Sequence, residues 1–382
     1  MHKQLKPLII FQGVSNLDEN WWVENQLPIK LAFYTKVYCF EYPQFNKLWK
    51  LIFYRKPIVE KKSNNLIIFH SLGFFPLGRK IKLFNTLNHF FNFFFFKRLI
   101  NSNFRNFYII SFTPEISILI DKIKTSRLFY YITDDYSSLP WWNNHRGLKQ
   151  LENLEKTLIP YVKKIIVVSD NLKRKYKSFR KPISIFRTPV EISQYNKKLK
   201  NNYSLSYSHP IIGFSGSIYD WKVDINLIIN LLKELPNCSF VFTGTVKIKN
   251  KLLNRKLFSF LNFHHLGILP INKLQQVMSQ FDVCLIPYKI NKWSQSAYPV
   301  KIMEYLALGK PVVVTNLSSI DYLAKNKIIY RASNELSFIN LIKKALNEKF
   351  NKNTYKNRID EAIKNDWKNR IIELINMIEN DK

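Results

Sequence analysis

The stretch from Tyr298 to Thr315, YPVKIMEYLALGKPVVVT, carries the local signals that decide the fold of its half of the chain. A proline two residues before Lys301 suits the start of a helix, and Gly309 suits its C-terminal cap. The proline and valines that follow are typical of the opening of a buried strand. A helix over Val300–Ala307 places Lys301 and Glu304 side by side on one face. The stretch therefore predicts a helix that leads into a buried strand.

Apolar runs of about five residues recur along the chain, separated by polar turns and helix-like spacers. Runs of this length bounded by Gly, Ser or Asp are typical of strands buried in a parallel sheet. Spacers with helical periodicity, such as Asp224–Glu234 and Asn272–Gln280, complete βαβ units. The apolar runs are Pro7–Phe11, Leu31–Phe40, Asn65–Phe69, Phe107–Phe112, Leu128–Ile132, Lys164–Val168, Ile183–Phe186, Ile211–Phe214, Ser239–Thr243, Asn262–Leu266, Val283–Pro287 and Pro311–Val314. The sequence predicts an α/β protein with parallel sheets.

The length of 382 residues indicates two domains, because domains usually contain about 100–200 residues. Residues 192–208 are polar, basic and aperiodic, which is the composition of a linker. They separate an N-terminal domain at 1–191 from a C-terminal domain at 209–350. In the tail at 351–382, apolar residues recur at helical spacing and predict a closing helix.

The chain is strongly basic, with 59 Lys and Arg against 27 Asp and Glu and a formal net charge of +32. Such an excess indicates an anionic partner, which is nucleic acid, a membrane surface or a phosphate-bearing substrate. The alternative is compositional drift, since Lys, Asn, Ile and Phe are abundant together, as A/T-rich coding produces. A hydrophobic fraction of 46% excludes a disordered or fibrous chain.

The three cysteines, Cys39, Cys238 and Cys284, are widely spaced. They form neither a disulfide framework nor a CxxC metal pair, and they favour a reducing compartment. The first apolar run is shorter than the ~7–15 residues of a signal peptide. The most apolar stretch, HFFNFFFFKRLI at His89–Ile100, is shorter than the ~18–20 residues that span a bilayer. The sequence predicts no targeting segment and no membrane span.

Two glycine turns follow predicted strands in the second half of the chain, GFSGS at 213–217 and TGT at 243–245. Parallel sheets bind ligands at the carboxyl ends of their strands, where glycines let the backbone approach a phosphate. Each turn suits a diphosphate, or else is a tight βα turn that binds nothing. Farther along, the Glu304 carboxylate suits the two hydroxyls of a ribose. The alternative for Glu304 is an ordinary surface ion pair with Lys301.

Four segments of the second half occur in a specific order: GFSGSIYDWKVD, SFVFTGTV, FHHLGILPINKLQQVMSQFDVCLIPY and YPVKIMEYLALGKPVVVT. From Ile211 to Asp321 this order resembles the nucleotide-binding half of a retaining glycosyltransferase of the GT-B fold, in the group 1, family 4-like class. The resemblance covers about a third of the chain strongly. It extends weakly upstream through FYYITDDYSSLP, KKIIVVSDNLKRK and ISIFRTPVE. It implies two Rossmann-like parallel-sheet domains facing a cleft, with a C-terminal helix.

The resemblance also implies roles for individual residues. Glu304 holds the ribose hydroxyls of the donor nucleotide, and His265–Leu269 fall where family members contact the base. Lys222 stabilises the departing diphosphate, or else is a solvated lysine near the start of a helix. The other donor-binding positions lie in the glycine turns, at the base contact and at the helix N-terminus: Ser215, Gly216, Ser217, Gly244, Leu269, Pro299, Val300 and Lys301. Since GT-B enzymes generally need no metal, neither a metal nor another cofactor is expected.

Two positions depart from the family pattern. Many relatives carry a second glutamate eight positions before Glu304, close to the donor sugar, and this chain has Ser296 there. The Asn-Gly pair that precedes the linker in the family is replaced by Arg187-Thr188-Pro189. The first departure leaves the donor sugar open, and the second implies a hinge of different shape.

Acceptor-side candidates follow the strands of the first half. His70 contacts the donor sugar or accepts a proton, or else it is a hydrogen-bonded packing residue. Asp134 and Asp135 polarise an acceptor hydroxyl, or else they cap the next helix. Neighbouring strand residues point to opposite sides, so only one of the two acts, and Asp135 joins His70 and Lys222 as a catalytic candidate. The other strand-end candidates are Gly13 and Thr113-Pro-Glu115.

The segment Phe84–Arg98 alternates phenylalanines with His, Asn, Lys and Arg. One interpretation is an amphipathic element that inserts its rings into a bilayer while Lys97 and Arg98 meet lipid phosphates. The other is a buried core helix of the first domain. The membrane interpretation favours a lipid-linked acceptor and gives the net positive charge a function.

The sequence predicts a glycosyltransferase that moves a sugar from a nucleotide-sugar, with a UDP-sugar favoured, to a hydroxyl acceptor with retention. The acceptor is a cell-surface glycan or a lipid-linked glycan, and the enzyme is cytoplasmic or peripheral at the inner face of the membrane. One alternative is a degenerate glycosyltransferase scaffold that serves as a partner subunit, which the serine at 296 suggests. A basic nucleic-acid-binding protein is another, although no nucleic-acid motif is present.

Overall fold

The computed structural model describes residues 6–12, 23–43, 57–77, 81–101, 103–140, 145–195, 203–348 and 351–379. The chain divides into two compact units, of which the first contains residues 1–186 with 371–382 and the second contains residues 187–370. Each unit is built around a mostly parallel sheet. In the described part of the chain, no helix is both long and apolar enough to cross a membrane.

The first unit contains an eight-stranded sheet in the order β3-β4-β2-β1-β5-β6-β7-β8. Every pair of neighbours is parallel except β3 and β4. The central strands are almost wholly buried, as their continuous apolar sequences require. The strands are β1 Leu8–Phe11, β2 Val37–Phe40, β3 Val59–Lys61, β4 Leu66–Phe69, β5 Tyr108–Ser111, β6 Leu128–Ile132, β7 Lys164–Val167 and β8 Ile183–Ile185.

Helices connect these strands. They are α1 Val23–Leu31, α2 Lys82–Ile100, α3 Ile120–Ile123, α4 His145–Leu158 and α5 Asp170–Tyr176. The predicted strand at Leu31–Phe40 is wrong in its first half. There the chain completes α1 and turns, with the Thr35 N–H donating to the carbonyl of Leu31 at 3.1 Å. The strand therefore begins only at Val37.

Helix α2 buries one face in the core of the first unit. The Phe96 ring lies among those of Phe11, Phe40 and Phe69, at centroid distances of 6.2, 5.1 and 5.6 Å. The opposite face is open to solvent. Of the two interpretations of this segment, the buried face has the character of a core helix, whereas exposed phenylalanines occupy the other face.

The second unit contains a six-stranded parallel sheet in the order β13-β11-β9-β14-β15-β16, and β10 and β12 form a separate two-stranded ribbon. Strands β9, β11, β14 and β15 are completely buried. The strands are β9 Ile211–Ser215, β10 Ile218–Tyr219, β11 Ser239–Thr243, β12 Val246–Lys247, β13 Phe263–His265, β14 Val283–Ile286, β15 Val312–Val314 and β16 Tyr330–Arg331.

The chain order of the second sheet reverses between β9 and β14. From β9 the chain first builds outward through β11 and β13, and it then returns to the other side of β9 with β14, β15 and β16. Ligands of open parallel sheets bind beyond the carboxyl ends of the strands at such a reversal. The topology therefore marks the ends of β9 and β14 as the place for a ligand.

The helices of the second unit pack around this sheet: α6 Ile225–Glu234, α7 Lys251–Phe258, α8 Ile271–Ser279, α9 Lys292–Ser296, α10 Val300–Ala307, α11 Asp321–Lys325, α12 Glu335–Asn347 and α13 Lys352–Lys364. A last helix, α14, covers Trp367–Glu379. The sequence predicts one closing helix in this tail, and the structure has two. The break falls at Asn365 and Trp367, whose backbone carbonyl and N–H bond to the backbone of Val190 instead of continuing a helix.

Candidate functional site

The ends of β9 and β11 form a close pair of glycine turns. Ser215 ends β9, and the next N–H, from Gly216, donates to the carbonyl of Thr243 at 3.0 Å. Gly244 has φ +116°, and a Cβ atom there would lie 2.2 Å from the carbonyl oxygen of Gly216. Only glycine fits this approach. The two turns that the sequence predicts separately are therefore one piece of backbone.

The end of strand β13 is hydrogen-bonded to the same backbone. The Gly244 N–H donates to the carbonyl of Gly267 at 2.7 Å, and the Nε2 of His265 donates to the carbonyl of Gly244 at 2.8 Å. Leu269 follows two residues beyond Gly267 and is half-buried. The segment His265–Leu269, which is predicted to contact a base, is thus hydrogen-bonded to the glycine turn at Gly244.

We expect the substitution Gly244→Ala to destabilise the protein more than Gly267→Ala. Both glycines have positive φ, which costs roughly 1–2 kcal/mol for a residue with a Cβ atom. Only at Gly244 does the new Cβ also collide with backbone, since nothing lies within 4 Å of a Cβ at Gly267. Thermal unfolding of both variants measures the difference, and equal melting temperatures would contradict the close approach.

Helix α10 connects the glycine turn to the carboxylate at Glu304. The N–H of Ser215 donates to the Tyr305 hydroxyl at 2.7 Å, and Tyr305 is completely buried. Burial raises the pKa of this tyrosine well above its usual value, so it stays protonated. Because Glu304 is the preceding residue on the same helix, the contact fixes it near the end of β9.

The Glu304 carboxylate is 9% exposed and has two partners within the second unit. Lys301 Nζ donates to Glu304 Oε2 at 2.7 Å, and the Tyr195 hydroxyl donates to the same carboxylate. Burial raises the pKa of Tyr195, as do the charge of Glu304 and this hydrogen bond. A carboxylate has about four acceptor positions. Two donors therefore orient Glu304 and leave it able to accept from a diol.

Lys222 lies beside the other strand of the reversal, at the end of β14. Its carbonyl accepts from the N–H of Lys289, and neighbouring Val223 pairs with Tyr288. Its ammonium lies over the rings of Tyr288 and Trp293, 4.9 and 5.4 Å from their centroids. Among the described residues no carboxylate forms an ion pair with it. Aromatic faces thus hold this positive charge without neutralising it.

The N-terminus of α10 is the remaining part of the predicted donor site. Pro299 precedes the first helical residue, Val300, and no side chain caps this end. Its backbone N–H groups are therefore of the kind that bind anions. Lys301 is one of the predicted donor-binding positions, and in the structure its ammonium pairs with Glu304. Ser217, the last residue of the glycine turn, is half-buried.

The structure places His70 between two carboxylates of the first unit. Its Nδ1 lies 2.8 Å from Oε2 of Glu41, and its Nε2 lies 3.1 Å from Oε2 of Glu60. Both ring nitrogens are thus within hydrogen-bonding distance of a carboxylate oxygen. This geometry is that of the hydrogen-bonded packing residue, and a catalytic role for His70 stays a prediction.

Asp135 is buried and pairs with the ammonium of Lys175, and it accepts from the Ser137 hydroxyl at 2.7 Å. Its side chain does not cap the following turn. In the sheet order, β2, β1 and β5 lie between the strand before His70 and the strand before Asp135. Four strand spacings of about 4.8 Å separate the two by about 19 Å. They do not act on one proton together, and a catalytic role for Asp135 stays a prediction.

Thr113 and Gly13 are two further strand-end candidates of the first half. Thr113 caps a short 3₁₀ turn, with its hydroxyl accepting from the N–H of Glu115 at 3.4 Å. Gly13 lies outside the described residues. Across the described ranges, no group of three or more His, Cys, Asp or Glu side chains is placed to hold a metal ion. The expectation of no metal cofactor stays a prediction.

Comparison with known proteins decides the family of the second unit. Residues 209–348 match the family described as Glycosyl transferases group 1. This segment, called the group 1 domain below, is thus similar to a group 1 glycosyltransferase domain. A curated relative, the putative teichuronic acid biosynthesis glycosyltransferase TuaH of Bacillus subtilis (strain 168), is 26% identical over 159 residues. That match spans 41% of this chain and 40% of the relative's length.

Solved structures extend the likeness beyond the group 1 domain. Sucrose-phosphate synthase from Thermosynechococcus elongatus superposes with a TM-score of 0.76 at 10% identity, covering 98% of this chain and 99% of that one. Anabaena Alr3699/HepE in complex with UDP-glucose has a TM-score of 0.66 at 13% identity, with the same coverage of both chains. At these identities the likeness concerns the fold alone. The predicted GT-B fold, with two Rossmann-like units, is confirmed.

Three residues of the second unit that contact the candidate site could not be identified from the sequence. Tyr305 follows Glu304 in the motif, but nothing local shows that its hydroxyl reaches β9. Tyr195 falls in the predicted linker, where an aromatic residue gives no signal of a contact with Glu304. Trp293 lies under the Lys222 ammonium although 71 positions separate them. A pattern of spacing detects neighbours on one element only, so such contacts remain hidden.

Proposed function

We propose that the protein is a glycosyltransferase that transfers a sugar from a UDP-sugar to a hydroxyl acceptor, with retention of the anomeric configuration. The observation that carries the proposal is the contact between Tyr305 and Ser215. It holds a carboxylate and a glycine turn together at the reversal of the sheet, and these are the groups that a ribose and a diphosphate require.

Each part of a nucleotide-sugar has a counterpart in the group 1 domain. The glycine turn at Ser215–Ser217 and the N-terminus of α10 receive the diphosphate, and Glu304 receives the ribose hydroxyls. The base lies against the segment that ends at Leu269. UDP is the preferred nucleotide because Alr3699/HepE, which has the same fold, binds UDP and UDP-glucose.

In the proposed reaction the acceptor oxygen forms a bond to the anomeric carbon, and the bond from that carbon to the diphosphate oxygen breaks. The proton of the acceptor hydroxyl passes to the departing phosphate oxygen, so that UDP leaves. Negative charge grows on the diphosphate as the bond breaks, and a fixed positive charge there stabilises the transition state. The Lys222 ammonium, held over Tyr288 and Trp293, is the group we assign to this role.

The acceptor we propose is a cell-surface glycan or a lipid-linked glycan. The curated relative TuaH is named for teichuronic acid biosynthesis, and the basic charge of the present chain suits an anionic surface or acceptor. The corresponding location is the cytoplasmic side of the membrane, with peripheral attachment.

A nucleotide panel tests the donor assignment. We expect UDP to raise the melting temperature more than ADP or GDP, and more than uridine or pyrophosphate. A ligand at 100 times its Kd stabilises the folded state by about 2.7 kcal/mol. UDP-sugars that raise the melting temperature are then tested for UDP release, and NMR of the product reports the anomeric configuration. The absence of a shift with every nucleotide would reject the assignment.

Ser296 favours a second candidate, a glycosyltransferase scaffold that acts as a partner subunit. This buried serine ends α9 at the position where many relatives have a glutamate close to the donor sugar. The scaffold binds UDP in the panel but neither hydrolyses nor transfers from any UDP-sugar. Release of UDP from any donor therefore excludes it.

A further inference from the structure

The exposed face of helix α2 is strongly apolar. Five side chains there, Leu83, Phe90, Phe91, Phe94 and Phe95, are each between 44% and 63% exposed. They recur at spacings that place them on one side of a helix. We name these five residues the α2 aromatic face. Contiguous exposed apolar patches are uncommon on monomeric proteins and mark surfaces that contact another molecule.

The α2 aromatic face is held rigidly at its N-terminal half. Asn88 and Asn92 each exchange two hydrogen bonds with the backbone of the loop at 72–75, at 2.6–3.0 Å. Within that loop, the half-exposed Phe74 packs edge-on against Phe91 at 6.0 Å. The clamp fixes Phe74 beside the face, so the aromatic surface continues from the helix onto the loop.

The sequence that flanks α2 contains charge of one sign. Residues 61–114 contain eight Lys or Arg and no Asp or Glu: Lys61, Lys62, Arg79, Lys80, Lys82, Lys97, Arg98 and Arg105. Lys97 and Arg98 are exposed and lie in the last turn of α2, each three residues after Phe94 and Phe95 respectively. The exposed rings of Phe94 and Phe95, beside the exposed cations Lys97 and Arg98, are complementary to a surface that is apolar inside and anionic outside.

The loop that carries Phe74 follows strand β4 at its carboxyl end. In an open parallel sheet this is the edge at which ligands bind. The aromatic surface thus reaches from the side of the first unit to the edge where an acceptor of that unit would lie.

We propose that the α2 aromatic face, together with Phe74, docks the protein on an anionic membrane surface. The rings of Phe94 and Phe95 enter the level of the lipid headgroups, and Lys97 and Arg98 contact lipid phosphates. Docking in this way presents the ligand edge of the first unit to acceptors carried in the membrane. The inference rests on the proposed function only for the identity of that acceptor, because the docking itself needs no donor.

Sedimentation with extruded vesicles tests the docking. We expect the full-length protein to bind phosphatidylcholine vesicles containing 30% phosphatidylglycerol at least ten times more tightly than phosphatidylcholine alone. The double variant Phe94→Ser/Phe95→Ser loses at least ten-fold in affinity for the anionic vesicles. The matched control Leu252→Ser/Leu261→Ser alters two exposed leucines of the second unit and retains binding. Equal binding by the two double variants would overturn the proposal.

A fluorescent label at position 94 reports insertion directly. The three native cysteines are buried, so Phe94→Cys gives one accessible thiol among the described residues. We expect an environment-sensitive dye there to shift to the blue on anionic vesicles, whereas a dye at Leu261→Cys does not shift. A blue shift that follows protein concentration without vesicles identifies a contact between two copies of the chain and overturns the membrane proposal.

The same variants separate this inference from the proposed function. The UDP-induced rise in melting temperature is measured on Phe94→Ser/Phe95→Ser, and we expect it to equal that of the parent. Vesicle binding without a response to UDP rejects the donor site and leaves the docking standing. A response to UDP without vesicle binding rejects the docking and leaves the donor site standing.

Discussion

UDP will bind the Glu304→Ala protein at least about 100-fold more weakly than the parent. Two ribose hydroxyls that donate to a carboxylate each contribute about 1.5–3 kcal/mol, and about 1.4 kcal/mol is a factor of ten. The buried carboxylate, oriented by Lys301 and Tyr195, is already in place for both hydroxyls. Calorimetric titration with UDP measures the loss of affinity. We expect the UDP affinity of Glu304→Gln, which keeps one acceptor oxygen, to lie between those of the parent and the Glu304→Ala protein.

A change of ligand distinguishes ribose recognition from a general disturbance of the fold. The parent binds 2′-deoxy-UDP more weakly than UDP, whereas the Glu304→Ala protein binds the two equally. Glu335→Gln is the matched control, because Glu335 is an exposed glutamate in the first turn of α12 that accepts from Asn230 at 2.9 Å. It leaves UDP binding unchanged. A Glu304→Ala protein that still discriminates against the deoxy nucleotide would show that the ribose lies elsewhere.

Lys222→Met will lower kcat for sugar transfer by about 100- to 1,000-fold while UDP affinity falls less than ten-fold. The reason is that stabilisation of charge that develops in the transition state appears in kcat. Lys222→Arg restores part of the rate, since it keeps the charge over Tyr288 and Trp293 but moves it. Steady-state release of UDP from the donor, with acceptor saturating, provides both constants.

Lys273→Met is the control for Lys222→Met. The Lys273 ammonium also lies over an aromatic ring, that of Tyr203, at 4.1 Å, but it belongs to α8. Its removal takes away the same kind of contact and leaves kcat unchanged. If the kcat of Lys222→Met is within three-fold of the parent's kcat, Lys222 has no catalytic role and is only a solvated lysine packed on two rings.

The second unit could be predicted closely because its local signals agree with its tertiary structure. The predicted strand Ser239–Thr243 and the predicted helix Val300–Ala307 have the bounds found in the structure. A proline and Gly309, which has φ +68°, delimit that helix as the sequence indicates. The glycine turns could be located as well, because only glycine fits where the backbone of Gly244 meets that of Gly216.

The contacts of the site could not be predicted, since they join residues far apart in sequence. Spacing alone could not decide whether Lys301 faces a phosphate or pairs with Glu304, because both arrangements suit the same helix. His70 reads as a free strand-end histidine until the antiparallel strand β3 brings Glu60 to its Nε2. The exposure of the α2 aromatic face was equally hidden, because phenylalanines occur on both sides of that helix.

The hydrogen bond between Tyr305 and Ser215 has an evolutionary consequence. It ties the parts proposed to bind the ribose and diphosphate of a nucleotide into one block, whereas the exposed Ile268 and its neighbours at the end of β13 are hydrogen-bonded to the end of β11 through Leu266 and Gly267. Under the proposed donor assignment, we therefore expect substitutions at 266–270 to change the nucleobase preference without disturbing the rest. Under that assignment, a few substitutions in one partly exposed segment suffice to change donor preference, while the groups proposed to hold the ribose and diphosphate stay in place.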